Sequence, residues 1–295
     1  MNSLFFYQTV GCLTRLMSRR AAYTIARPVS AWAYEHNHTV REALAENLRV
    51  VLSGRGKAWT ESELQQIARR NFENFGKYVI DFFKIGRLSP ETLDKSVPVE
   101  HIEYLEQCRA LGKGIIGLTA HIGNWELGAN VLAMNRCRVN AIVRRQPSAK
   151  LDNLFQSRRT QRHIRVLPMR GGARSALACL RRNEVVVLLA DLDFSDQSRR
   201  VRFFGESARL PRGPAILAAR SGAPILPGFV LRQPDETFRL RFYPPIMSGR
   251  PHPASDIQKD VCAILEDVIG DHPDQWFAFR PVWDRVESPC LQTGR

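Results

Sequence analysis

Gly114-Ile-Ile-Gly-Leu-Thr-Ala-His121-Ile-Gly-Asn-Trp-Glu126 decides how this chain is read. An apolar run of strand length ends at a histidine. Gly123 then permits a tight turn, and Asn124 is a residue type that caps the helix starting beside it. A strand of the buried type running into a helix is the opening of a βαβ unit. Ligands of open α/β sheets collect at the carboxyl ends of the parallel strands, where His121 stands. Glu126, in the first turn of the helix, is near enough to hydrogen-bond back to the imidazole. A carboxylate on one ring nitrogen fixes the tautomer and leaves the other nitrogen as a general base. Without a serine or cysteine partner, such a dyad deprotonates a substrate hydroxyl directly. On spacing alone, a satisfied core histidine explains the same residues equally well. His101 and Glu106 repeat the spacing, but inside what reads as one amphipathic helix over about 101–111, so that pair is read as structural.

Downstream, short apolar runs alternate with helical stretches. Strands are expected at Gly114–Thr119, Val139–Val143, Ile164–Leu167, Val185–Ala190, Val201–Phe204, Ile225–Leu231 and Phe238–Tyr243. Helices are expected at Asn124–Met134, Ala149–Gln161, Gly172–Arg181, Gly213–Arg220 and Ala254–Ile269. The alternation predicts an α/β fold, a mostly parallel central sheet flanked by helices. Upstream, two capping boxes, Thr39 with Glu42 and Thr60 with Glu63, open helices of a helical N-terminal portion.

The 295 residues suffice for a sizeable core, and 44% hydrophobic with 24% charged residues excludes wholesale disorder. The net charge of +14 is concentrated. Between Arg136 and Arg220 stand 19 Arg or Lys against 6 Asp or Glu, and 18 of the 19 are arginine. Such a segment predicts a basic surface facing phosphates or carboxylates. A nucleic-acid partner would suit the charge, but no helix-turn-helix, zinc-ligand spacing or aromatic RNA-binding strand accompanies it. Six scattered cysteines (Cys12, Cys108, Cys137, Cys179, Cys262, Cys290) without metal-type spacing read as reduced packing residues on the cytosolic side.

From Met1 to Tyr34 there are four arginines and no acid. No run there approaches the length of a spanning helix, and the charges follow rather than precede Leu4-Phe5-Phe6-Tyr7. Residues 1–38 are therefore expected to be a basic amphipathic segment lying in a membrane interface with its phenylalanine side down, ahead of a catalytic domain over 39–295.

Thr119-Ala-His-Ile-Gly-Asn-Trp-Glu126 resembles the first motif of the glycerolipid acyltransferase superfamily. The match is nearest to the bacterial late (lauroyl- and myristoyl-type) lipid A acyltransferases and the related phosphatidylinositol mannoside acyltransferases. The resemblance continues in order through Val143-Arg144-Arg145, Leu151-Asp152, Arg158, Leu188-Leu-Ala-Asp191-Leu-Asp193, Phe203-Phe204-Gly205, Pro214-Ala215, Gly222-Ala-Pro-Ile-Leu-Pro227 and His272-Pro-Asp-Gln-Trp276-Phe. It covers roughly Thr39 to Arg285, and the ordered set is far more specific than any one piece.

The resemblance implies fatty acyl transfer from a thioester donor, acyl carrier protein or acyl-coenzyme A, to a hydroxyl of a lipid A precursor or another lipid such as a mannosylated glycolipid or lysophospholipid. It makes His121 the base and Glu126 its orienting partner. Arg144 and Arg158 would serve phosphate binding, and Asp191 either substrate hydroxyl binding or capping of the strand end. Backbone N–H groups over Gly123, Asn124 and Trp125 would hold the oxyanion. Neither cofactor nor metal is required. The expected location is the cytoplasmic face of the bacterial inner membrane, peripheral or monotopic. A thioester hydrolase is the related alternative, with water in the acceptor's place.

Overall fold

A computed structural model describes residues 3–56, 58–85, 96–146, 148–160, 163–194, 200–248 and 253–283. Four helices come first: α1 (Ser3–Leu16), α2 (Arg19–His36), α3 (His38–Gly54) and α4 (Glu61–Ile85). The Thr60 box forms as expected. Thr60 N–H donates to Glu63 Oε2 at 2.7 Å, and Glu63 N–H donates back to Thr60 Oγ1 at 3.2 Å. The Thr39 box does not form, because α3 already begins at His38. Asn37 alone separates α2 from α3: its N–H closes the first helix on Ala33 O and its carbonyl receives Arg41 N–H. Thr39 and Glu42 are thereby left inside the helix.

After β1 (Val99–Glu100) comes α5 (Ile102–Ala110). His101 precedes this helix in a left-handed conformation and bonds Glu103, while Glu106 pairs with Arg109. The expected helix through His101 is thus corrected, although the residue remains structural. Then follow β2 (Ile115–Thr119), α6 (Trp125–Met134), β3 (Val139–Val143), α7 (Ala149–Thr160), β4 (Arg165–Pro168), α8 (Gly172–Arg181) and β5 (Val185–Leu189). The remainder comprises β6 (Arg200–Phe203), β7 (Glu206–Arg209), α9 (Gly213–Ser221), β8 (Ile225–Arg232), β9 (Phe238–Phe242), α10 (Ala254–Asp271) and a 3-10 turn over Pro273–Gln275.

Seven strands form one sheet in the order β1-β9-β8-β2-β5-β3-β4. Every neighbouring pair is parallel except the β8–β9 hairpin. The strand expected at Val201–Phe204 leaves this sheet and forms a separate antiparallel hairpin with β7. Phe204 and Gly205 turn that hairpin with positive φ at both positions, the two-residue geometry that matches strand twist.

Alternate residues of β2 serve opposite faces of the sheet. Ile116, Leu118 and Ala120 join α8, α9 and α10 in one core, and Ile115 joins α5 and α6 in the other. β2 lies near the middle of this three-layer sandwich, so His121 emerges from one of its most constrained strands. The N-terminal helices are locked to the β8–β9 turn by a buried ionic cluster. Asp81 receives Arg232, Arg19 and the Tyr23 hydroxyl, and Lys77 reaches Glu236.

Candidate active site

In the parallel register of β2 and β5, Thr119 lies opposite Leu189, and Ala190 N–H donates to Thr119 O. Two residues further on, His121 meets Asp191. His121 Nδ1 lies 3.0 Å from Asp191 Oδ1, and His121 N–H donates to Asp191 Oδ2 at 3.0 Å. The Trp276 indole N–H donates to the same Oδ2 at 2.8 Å. Asp191 is completely buried, which by itself raises a carboxyl pKa. The neighbouring imidazole and the three donors outweigh burial and hold it below the ordinary value. The His121 side chain remains 24% exposed, and its Nε2 has no hydrogen-bond partner among the described residues. A fixed Nδ1 with a free, reachable Nε2 is the geometry of a general base.

Glu126 falls in the first turn of α6 as expected, but its carboxylate does not serve His121. It receives Arg159 Nε at 3.2 and 3.1 Å and also Arg159 Nη2. Both side chains are largely buried, at 11% and 16% exposure. Burial lowers the Arg159 pKa, but the Glu126 charge beside it leaves it raised. The buried Tyr78 hydroxyl, close enough to this pair to feel both charges, is pushed well above its usual pKa by burial and by Glu126. The carboxylate that meets His121 is therefore Asp191 and not the expected Glu126, which pairs instead with Arg159. Arg158, one residue along α7, points elsewhere, its guanidinium 5.8 Å from the Phe83 ring centroid.

The turn after His121 is held by the C-terminal segment. Phe277 N–H donates to His121 O at 2.7 Å, Gly123 N–H to Gln275 O at 3.0 Å, and Ile122 forms a bridge with Trp276. Asn124 N–H donates to Val230 O at 2.8 Å. Two of the three N–H groups expected to bind an oxyanion are thus already engaged, which leaves Trp125 N–H at the open start of α6. Asn124 caps the helix through Leu127 N–H. Gly123 is obligatory: its φ is +57°, and a Cβ there would lie 2.0 Å from Val230 O.

Under α6 runs a narrow apolar cavity of about 30 Å³, with Thr119 and Trp125 at its His121 end and Ile115 and Val185 at the other. Gly117, Gly128 and Gly228 line its walls. On the other side of His121, Phe194 approaches with ring centroids 6.0 Å apart, and the Arg144 guanidinium lies 5.0 Å from the Phe194 ring. No group of three or more His, Cys, Asp or Glu side chains among the described residues could hold a metal ion.

The family model for bacterial lipid A biosynthesis acyltransferases matches residues 2–285. The chain belongs to that family. Among relatives of this acyltransferase, the phosphatidylinositol mannoside acyltransferase of Mycobacterium tuberculosis is 28% identical over 239 residues, 75% of this chain and 72% of that protein. The lipid A biosynthesis palmitoleoyltransferase of Escherichia coli is 23% identical over 228 residues, 75% and 74% of the two chains. A crystal structure of the 1-acyl-sn-glycerophosphate acyltransferase PlsC from Thermotoga maritima superposes with a TM-score of 0.42 at 12% identity, covering 88% of this chain and 99% of that one.

Sequence reasoning on this acyltransferase missed Arg159 and Trp276 and left the role of Asp191 open. A signal for Asp191 was present. Leu118-Thr-Ala-His121 and Leu188-Leu-Ala-Asp191 are two apolar strands of equal length that end on the same pattern. Paired in parallel without stagger, they set histidine against aspartate. Trp276 stood only within the C-terminal motif, with nothing to link it to Asp191, 85 residues away.

Proposed function

We propose that this acyltransferase moves a fatty acyl group from a thioester donor, acyl carrier protein or acyl-coenzyme A, onto a hydroxyl of a lipid A precursor or related glycolipid. One observation carries the reading: a buried-carboxylate-oriented histidine stands at the end of an apolar slot. His121 Nε2 takes the proton of the acceptor hydroxyl as its oxygen bonds to the thioester carbonyl carbon. The tetrahedral oxyanion faces the N-terminal end of α6, where Trp125 N–H and the helix dipole favour negative charge. The carbon–sulfur bond then breaks, and the thiolate recovers the proton from the imidazolium that Asp191 stabilises. The relatives named for phosphatidylinositol mannoside and for lipid A support a glycolipid acceptor.

The cavity under α6 is the proposed seat of the acyl chain, since apolar walls favour apolar chains. It follows β2 from Thr119 to Ile115, about 13 Å at strand rise. Gly128 sits midway along its roof, and a Cβ there meets only a Val230 methyl, at 3.4 Å. Gly128→Ala is expected to shorten the preferred chain, read by competing thioesters of different length on a variant whose Tm matches wild type. An unchanged preference would place the chain elsewhere.

No described helix is long and apolar enough to cross a membrane. The proposed membrane face is α2, where Ile25, Val29 and Trp32 form an exposed stripe at helical spacing. Leu16, 85% exposed, lies at the end of α1 just before it. This replaces the phenylalanine face expected of α1. The side chains of Leu4, Phe5 and Phe6 lie outside the described residues, and Tyr7 packs inward on Phe83 and Phe155. Location at the cytoplasmic face of an inner membrane fits this stripe and the reduced cysteines. Five of the six are free, Cys290 lying outside the described residues.

Mass spectrometry of total lipids from producing cells tests the function. At matched protein levels, wild type is expected to add one acyl chain to a lipid that cells making His121→Ala leave unmodified. The same gain with His121→Ala would overturn the assignment.

A further inference from the structure

Arg232, the last residue of β8, is fixed from two sides. Its guanidinium, 7% exposed, donates from Nη2 to Asp81 Oδ2 at 2.7 Å. From Nη1 it donates to the Tyr23 hydroxyl at 2.8 Å and to Glu236 Oε2 at 3.1 Å. Asp81 stands on α4 and Tyr23 on α2, so the N-terminal helices grip this side chain. The backbone is gripped by Gln275, itself buried. Arg232 N–H donates to Gln275 Oε1 at 2.9 Å, and Gln275 Nε2 donates back to Arg232 O at 2.9 Å.

This backbone pairing takes the place of a strand. β2 pairs with β8 only as far as Leu118 opposite Pro227, so the backbone groups of β8 beyond that point need other partners. Val230 O receives Asn124 N–H, and the Gln275 amide, with one acceptor and one donor, serves both groups of Arg232. Gln275 also opens the segment that crosses the site. Its carbonyl receives Gly123 N–H, the indole of Trp276 donates to Asp191, and Phe277 N–H donates to His121 O. Three successive residues thus touch the turn, the carboxylate and the base. Asn71 ties the segment to α4 through Pro273 O and Trp276 O, and Gln275 ties it to the sheet.

Buried ion pairs add little net stability, because desolvation offsets their attraction, so the cluster around Arg232 calls for another purpose. We propose that Arg232 and Gln275 are positioning residues for acyl transfer. The ionic cluster aims the Arg232 backbone at the Gln275 amide, and that pairing sets residues 275–277 in register against His121 and Asp191. Both act through the segment rather than on the substrate. The proposal rests on His121 being the base of acyl transfer, and its test separates the two.

Gln275→Met keeps the side-chain length and removes both hydrogen bonds. Leu64→Ala is the stability control: Leu64 is fully buried in the α3–α4 core, about 26 Å along the helix from Asp81. Each protein is assayed equally far below its own Tm. Gln275→Met is expected to lower kcat for thiol release from lauroyl-coenzyme A at least about tenfold with KM within about threefold, since a misplaced base costs rate and not binding. Hydrogen exchange reads the segment without substrate. The Gly123 and Phe277 amides should exchange at least about tenfold faster in Gln275→Met than in Leu64→Ala. Arg232→Lys keeps the charge but loses the planar fork that serves Asp81 and Glu236 together, and should also lower kcat. Combined with Gln275→Met it should be no slower than Gln275→Met alone, because Arg232 acts through Gln275. Exchange or kcat equal to the control's, or additive losses in the double variant, overturns the proposal and leaves the acyl-transfer reading intact. Thiol release that persists in His121→Ala sinks that reading and the proposal with it.

Discussion

Asp191→Asn will lower thioester turnover by about 10³ to 10⁴ while leaving substrate binding within a few-fold. The magnitude follows from counting donors. Asp191 Oδ2 accepts both His121 N–H and the Trp276 indole N–H, and Oδ1 faces His121 Nδ1. An asparagine must turn its single carbonyl oxygen toward the two fixed donors, which points its amide NH₂ at Nδ1. Nδ1 then has to accept, the imidazole proton moves to Nε2, and the nitrogen facing the substrate can no longer act as a base. Steady-state thiol release at the wild-type pH optimum measures the effect, and an asparagine variant within tenfold of wild type would contradict it. Asp191 is held below the ordinary carboxylate pKa when folded. Its charge therefore contributes stability above the unfolded value, and that contribution disappears as pH falls through the folded value. The asparagine variant is expected to lack this part of the acid-side loss.

Glu126→Gln should act mainly on stability. It leaves Arg159 largely buried without its counter-charge, a loss of about 3–5 kcal/mol, or a fall in Tm of roughly 6–10 °C. Glu126→Leu combined with Arg159→Met removes both charges and is expected to recover much of the Tm. Because Glu126 does not touch His121, the pH midpoint of the remaining activity should stay where wild type has it. A glutamine variant of normal Tm with a displaced acidic limb would restore Glu126 as the orienting partner. Melting curves and pH–rate profiles on the same preparations decide between the two arrangements.

These two carboxylates show how far the sequence reaches. His121 stood out as a candidate because its signals are local: an apolar strand, a turn glycine and a helix cap within 13 residues. Strand and helix positions downstream followed from periodicity for the same reason, and α8 was placed to the residue. Glu126 was misassigned because five residues of sequence separation do not say which way a first-turn side chain points. Its long partner Arg159 reaches it from α7, and the one-residue choice between Arg158 and Arg159 is a 100° choice around the helix. The contact of Trp276 with Asp191 was beyond local reading, since it arises only when the C-terminal segment crosses the end of β2. The departure of β6 from the sheet has a similar cause. A four-residue strand is equally well formed in a private hairpin, and only tertiary pairing selects between them.

The hydrogen bonds from residues 275–277 to the turn at His121 have a consequence for timing. They close a loop of roughly 150 residues, which costs little extra stability because closure entropy grows only logarithmically. Long-range closures are nonetheless late events in folding. A nascent or half-folded chain therefore holds its histidine without the indole and carbonyl that finish the site. Its imidazole then meets an Asp191 carboxylate that lacks the Trp276 indole N–H. The clasp that joins the two ends of this loop is thus also what completes the surroundings of His121.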